Sequence, residues 1–264
     1  LIIIVGVLSS VHILNLTGCH NIGSLGAING VYTINADDCV NITNVNDLSG
    51  VTNLNLNGCY MVTDVSGLDG VNSLSLIGTD ITDVSALGSV YSLYLADCYW
   101  ITDVSALSGV HTLDLSRCSN ITDVSALGGV HTLYLSGCNN ITDVSDLGGV
   151  HTLDLSCCEN ITDVSALGEV HTLNLSECPY IIDVSALGGV YDLNLSYCSN
   201  ITDVSALGRV HTLALREGIN SFGMYTSMNV TDVSALGGVH TLDLSGLNIT
   251  DVSALGGVHT LMFT

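Results

Sequence analysis

Residues 110–129 read V-H-T-L-D-L-S-R-C-S-N-I-T-D-V-S-A-L-G-G, and the segments on either side repeat this phrase with few changes. Its opening valine recurs thirteen times, at Val11, Val31, Val51, Val71, Val90, Val110, Val130, Val150, Val170, Val190, Val210, Val239 and Val258. The spacing is 20 residues, apart from 19 at Val71–Val90 and Val239–Val258 and 29 at Val210–Val239. Within the phrase Leu113 and Leu115 alternate with Thr112, Asp114 and Ser116. That period of two predicts a short strand with its leucines on one face. The later apolar positions, Cys118, Ile121, Val124 and Leu127, suit neither a strand nor a long helix. They suit a chain that turns corners and points one side chain inward at each. Asp123 reads as the N-cap of a single helical or 3₁₀ turn over V-S-A-L, which Gly128 and Gly129 end.

One such coil cannot bury its own inward side chains, whereas stacked coils cover one another. Strands of successive coils then pair in parallel about 4.8 Å apart. The opposite side holds only a short turn per coil. Full helices there would need about 8–10 Å each, so the expected curvature is gentle.

The pattern V-x-x-L-x-L-x-x-C-x-x-I-T-D resembles a leucine-rich repeat. Its C-x-x-I-T-D part is similar to the cysteine-containing repeats of F-box adaptor proteins, and I-T-D-V-S-A-L is similar to the repeats of bacterial internalins. The unit here is shorter, mainly on the convex side, and no F-box-like helical segment accompanies it. The resemblance covers nearly the whole chain. It implies an α/β leucine-rich-repeat solenoid, with a parallel β-sheet on the concave side and short 3₁₀ or turn segments on the convex side. Residues 1–264 then form a single solenoid of about 13 coils, with an inserted loop at 216–229 and uncapped ends. The opening residues Leu1 to Leu8 fit a first coil, with Ile2, Val5 and Leu8 in the Ile, Val and Leu slots; the alternative is a signal-peptide remnant.

Composition narrows the function classes. Twenty-five acidic side chains face three arginines and no lysine, for a net charge of −22. Such a charge repels phosphate and argues against nucleic-acid binding and anionic membrane surfaces. Disorder is excluded, because 47% of residues are hydrophobic and only 11% charged. Mean hydropathy is +0.54. The longest apolar run nevertheless falls well short of the ~20 residues of a spanning helix, so no membrane insertion is expected.

The repeat stacks chemistry-bearing side chains into columns. Nine of the ten cysteines share one position: Cys19, Cys39, Cys59, Cys98, Cys118, Cys138, Cys158, Cys178 and Cys198. The resemblance places that position inward, where the side chain bonds loop backbone. Buried thiols are therefore expected over disulfides, and they favour a reducing, intracellular setting, with a secreted or surface location as the alternative. His111, His131, His151, His171, His211, His240 and His259 form a solvent-side ladder that Tyr32, Tyr91 and Tyr191 join. Lacking nearby cysteine or carboxylate partners, it is read as an edge and not a zinc site. An aspartate column from Asp64 to Asp251 is read as turn caps in preference to calcium ligands. Ser, His and Asp recur together in most units, which describes a surface lattice and not a catalytic triad. The N-I-T sequons are one motif multiplied. No catalytic residue, metal or cofactor is assigned.

What varies between coils marks the candidate site. Tyr91, Tyr94, Tyr99 and Trp100 fall in one coil, with Tyr134 two coils on, and aromatics on a half-exposed patch favour partner contact, the alternative being that Tyr99 and Trp100 cover the edge of the core. Asp114 and Asp154 make the strand face acidic. Phe222 and Tyr225 give the insertion adhesive surface, and loops leaving a rigid scaffold often carry function. The resulting expectation is a non-enzymatic protein-binding scaffold with an acidic concave face and a basic partner. Its alternative is a structural protein that self-associates head to tail through its terminal coils.

Overall fold

The computed structural model describes residues 2–7, 10–48 and 50–263. The chain divides into two compact units, Leu1–Tyr134 and Leu135–Thr264. Leu8, one of the opening-coil positions, lies outside the described residues.

In the first unit β1 (Ile2–Val7) pairs in parallel with β3 (Ile22–Asn29). A separate parallel sheet contains β2 (Ile13–Asn15), β4 (Thr33–Asn35), β5 (Asn53–Asn55), β6 (Ser73–Ser75), β7 (Ser92–Tyr94), β8 (Thr112–Asp114) and β9 (Thr132–Tyr134), in that order. The 3₁₀ turns Ser85–Leu87, Ser105–Gly109 and Ser125–Gly129 lie between the later strands. The segment Ile22–Asn29 replaces that turn with extended chain, because N-I-G-S-L-G-A-I-N lacks the D-V-S-A-L phrase.

The second unit repeats the plan with β10 (Thr152–Asp154), β11 (Thr172–Asn174), β12 (Asp192–Asn194) and β13 (Thr212–Ala214). A hairpin of β14 (Gly218–Ile219) and β15 (Tyr225–Thr226) follows, then β16 (Thr241–Asp243) and β17 (Thr260–Met262). The sheet pairs β13 directly with β16, Thr212 against Thr241, so the extra residues loop out and leave the register intact. Among the described residues six 3₁₀ turns, from Ser145–Gly149 to Ser253–Gly257, alternate with these strands along the chain.

In most coils burial follows the inward positions read from the sequence, but Cys19, expected among the buried thiols, is exposed, and Val252 is 43% exposed. In the coil from Val150 the residues Val150, Leu153, Leu155, Cys158, Ile161, Val164 and Leu167 are each at most 1% exposed. Each such aliphatic side chain contributes about 1.5–3 kcal/mol of transfer free energy. Polar bridges join successive coils. The Cys178 thiol donates to the Leu155 carbonyl at 3.2 Å, and the Cys118 thiol to that of Leu95 at 3.1 Å. Asn160 Nδ2 donates to the Asn139 carbonyl at 2.7 Å.

The local chemistry of the turns differs from expectation in one respect. The N-cap of each 3₁₀ turn is a valine, such as Val164 with φ −119° and ψ 15°, and the aspartate sits one residue earlier. Asp163 Oδ1 accepts the Ser165 backbone N–H at 2.9 Å, so the carboxylate still satisfies the first orphan donor from outside the turn. The glycine after the turn is fixed by packing. A Cβ on Gly168 would lie 2.4 Å from the Ala186 carbonyl oxygen of the next coil.

Candidate functional site

Each unit presents the polar side chains of its strands on the outer face of its sheet. A column of His and Tyr residues lines one margin of that face. In the second unit His151, His171, Tyr191, His211 and His240 stack at 4.4–4.8 Å with interplanar angles of 9–20°. In the first unit Tyr91, His111 and His131 stack at 4.5 and 4.6 Å. The histidine Nδ1 atoms engage the next residue's hydroxyl, as in His171 with Thr172 Oγ1 at 3.2 Å. Parallel rings aim their outer nitrogens side by side, not at a common point. Among the described residues no group of three His, Cys, Asp or Glu is placed to hold a metal ion.

The central column is made of the last residue of each strand. Asp114 Oδ1 accepts the Ser116 N–H at 2.9 Å, and Asp154 Oδ1 accepts that of Ser156 at 2.8 Å. Asn174 and Asn194 do the same for Ser176 and Ser196 at 3.1 and 3.0 Å. These side chains therefore fix the strand exit with one oxygen and leave their remaining polar atoms toward the face. Asp243 is the extreme case at 2% exposure, hydrogen-bonded to Ser245 and paired with the Arg216 guanidinium. The serine and arginine hydrogen bonds outweigh its desolvation and hold its carboxyl below the usual range.

Of the aromatic candidates, Tyr94 and Tyr134 are half-buried on β7 and β9. Tyr94 borders a groove of about 420 Å³ over β4 to β6, which also touches Asn35, Asn55, Ser75 and Ile77. Tyr91 stands in the ring column, 51% exposed. Tyr99 and Trp100 follow the corner at Asp97, where φ is 60°, and are 49% and 59% exposed. Trp100 thus leaves most of its surface in solvent. The Tyr99 hydroxyl donates to Asp97 Oδ1 at 2.8 Å, a bond that raises its phenol pKa, and Arg117 pairs with the same carboxylate at 2.7 Å. The four aromatics of this coil are therefore strung along it, from the ring column across the strand to beyond the corner.

The insertion is a hairpin and not a free loop. Asn220 Oδ1 accepts the N–H groups of Phe222 and Met224 at 3.1 and 2.9 Å and shapes its tip. Ser221 ties that tip to Glu177, donating N–H at 3.2 Å and O–H at 2.8 Å. Met228 is buried, whereas Phe222 and Tyr225 are 60% and 70% exposed.

A second groove, of about 390 Å³, lies over β11 to β13 and was not singled out from sequence. Asp192, Asn194, Ala214, Tyr197 and Arg216 border it. The available signal was the break in two columns: Asp192 stands where most other coils carry Thr or Ser, and Arg216 stands where neighbouring coils carry Ser.

No family model matches the sequence, and no curated protein matches it. Solved structures do. An internalin from Listeria monocytogenes matches with a TM-score of 0.60 at 20% identity, over 92% of this chain and 86% of that one. A leucine-rich-repeat protein of Leptospira interrogans matches with a TM-score of 0.56 at 16% identity, over 87% of this chain and 71% of that one. Together with the parallel sheets and 3₁₀ turns, these likenesses establish the fold as that of a leucine-rich-repeat protein. Among the described residues no helix is long and apolar enough to cross a membrane.

Proposed function

We propose that the chain is a non-enzymatic interaction scaffold whose sheet faces bind a basic protein partner. The observation that carries this reading is the division of labour within each coil. Seven side chains are consumed by the core, while the strand residues between them stay half-exposed and vary from coil to coil. A net charge of −22 steers a partner of opposite sign. In the first unit the contact surface comprises Tyr91, Tyr94, Tyr99, Trp100, Asp114 and Tyr134; in the second, Asp154 and the hairpin residues Phe222 and Tyr225. The buried thiols support residence in a reducing compartment.

Affinity capture from the source cells at low and moderate salt tests this, with Tyr94→Ala and Asp114→Asn as paired variants. The expected result is a partner held at low salt, weakened by salt and lost with the variants. Retention that ignores both variants and salt contradicts it.

A further inference from the structure

Three departures from the repeat meet in one place. The first strand position of the second unit is Thr152, Thr172, Thr212, Thr241 and Thr260, but Asp192 in β12. The central position, elsewhere in these coils mostly Asp or Asn, is Ala214 in β13, which removes a side chain from the face. The residue after the second leucine is Ser156, Ser176, Ser196 and Ser245, but Arg216 after β13. All three border the 390 Å³ groove. In a sequence copied this closely, scattered drift would not be expected to place them side by side.

The groove has a definite polarity. The Arg216 guanidinium is tied to the buried Asp243 carboxylate, so this pair adds no net charge. Asp192 is half-buried, and its carboxylate accepts no hydrogen bond from any described residue. Its neighbour in the ring column is Tyr191, so this coil has a Tyr–Asp pair where most coils have His–Thr. The residual charge of the groove is therefore the single negative charge of Asp192. Beside it Asn174 and Asn194 have their Oδ1 atoms occupied by serine N–H groups, which leaves both amide NH₂ groups as donors toward the cavity. Tyr197, held at φ 64°, supplies an aromatic wall.

We infer that this groove is the specificity pocket of the scaffold and receives an extended peptide segment carrying an arginine or lysine side chain. The cationic head sits on Asp192 as a charge-assisted hydrogen-bonded pair. The Tyr197 face borders its stem, and the Asn174 and Asn194 amides donate to the carbonyl oxygens of the segment. This inference rests on the proposed basic partner and names the feature by which that partner is chosen.

The test uses the full chain and two synthetic probes, acetyl-Ser-Ala-Arg-Ala-Ser-amide and its twin with citrulline in place of arginine. Binding is followed by the side-chain amide NMR signals of Asn174 and Asn194. Asp192→Thr restores the residue that neighbouring coils carry, so the fold is retained. The wild type binds the arginine peptide at least tenfold more tightly than the citrulline twin, and Asp192→Thr removes that preference. Equal affinity for the two peptides, an unchanged preference in Asp192→Thr, or no amide shift at millimolar peptide overturns the inference. If a basic protein is held by the wild type and equally by Asp192→Thr, the pocket falls and the broader scaffold reading stands. If no basic protein is held at low salt, the broader reading falls as well.

Discussion

Replacing Gly168 by alanine probes coil stacking without touching the core. Gly168 lies at the end of a 3₁₀ turn with φ −64° and ψ −18°, a conformation open to any residue, so backbone strain does not enter. The penalty is steric: the new Cβ falls 2.4 Å from the Ala186 carbonyl oxygen and 3.5 Å from its carbon. Ordinary contact needs close to an ångström more, and the atom in the way is backbone held by the next coil. Overpacking of this kind costs about 1–3 kcal/mol. Ser108 at the equivalent position of the first unit shows that a coil can yield, which keeps the penalty finite. Gly256 is the control, because nothing lies within 4 Å of its Cβ position. Gly256→Ala should be neutral or stabilising by up to about 1 kcal/mol through the unfolded state. Urea denaturation should show a lower midpoint for Gly168→Ala, and thermal melting a fall of roughly 2–4 °C per kcal/mol for a chain of this size. Equal stability of wild type and Gly168→Ala, or equal loss in both variants, refutes the close approach of these coils.

Other predictions concern the columns. The carboxyls of Asp83, Asp103, Asp143, Asp183 and Asp203 are held below the usual range, chiefly by hydrogen bonds from the serine two residues on. A lowered folded-state pKa contributes stability above the unfolded value of about 3.9, and that stability is lost as pH falls through the folded values. Melting temperature should therefore drop between pH 5 and pH 2, and an unchanged value contradicts the capping role. Neighbouring aspartates raise one another, as Asp64 and Asp103 do Asp83, so added sodium chloride should raise the melting temperature by screening them; a fall would count against a crowded column. Burial pushes the Cys59 thiol up to about 12, and Cys198 likewise, while Cys19 is exposed. Iodoacetamide at pH 8 should label Cys19 first by mass spectrometry, and rapid labelling of Cys59 in the folded chain contradicts its burial. Asn160→Ala removes the bond to the Asn139 carbonyl and should cost about 0.5–1.5 kcal/mol by urea denaturation.

The coil was legible because its side chains answer to a period. Leu153, Leu155, Cys158, Ile161, Val164 and Leu167 are buried for the reason that spacing predicts, since each points to an interior that only neighbouring coils complete. Where the phrase decays, local reading fails: Ile22–Asn29 is extended because the D-V-S-A-L turn signal is missing. The hairpin is a second case. Its tip is held by Glu177, 44 residues from Ser221, and no pattern within the insertion announces that contact. The aromatic candidates share a coil in sequence, yet a coil spreads its residues around corners, so Tyr94 and Trp100 occupy different stretches of it. Asp192 and Arg216 were visible as breaks in the Thr and Ser columns, but their common groove depends on strand register across β12 and β13.

The central claim is that each coil finds its core only in the next, in a register set by the repeat. Excising residues 170–189 removes one whole coil and lets Thr152–Asp154 pair with Asp192–Asn194, while excising 170–179 leaves half a coil out of register. Circular dichroism through a thermal melt should show the strand signal and a cooperative transition in the first deletion and neither in the second. Two folded deletions, or two unfolded ones, would contradict it.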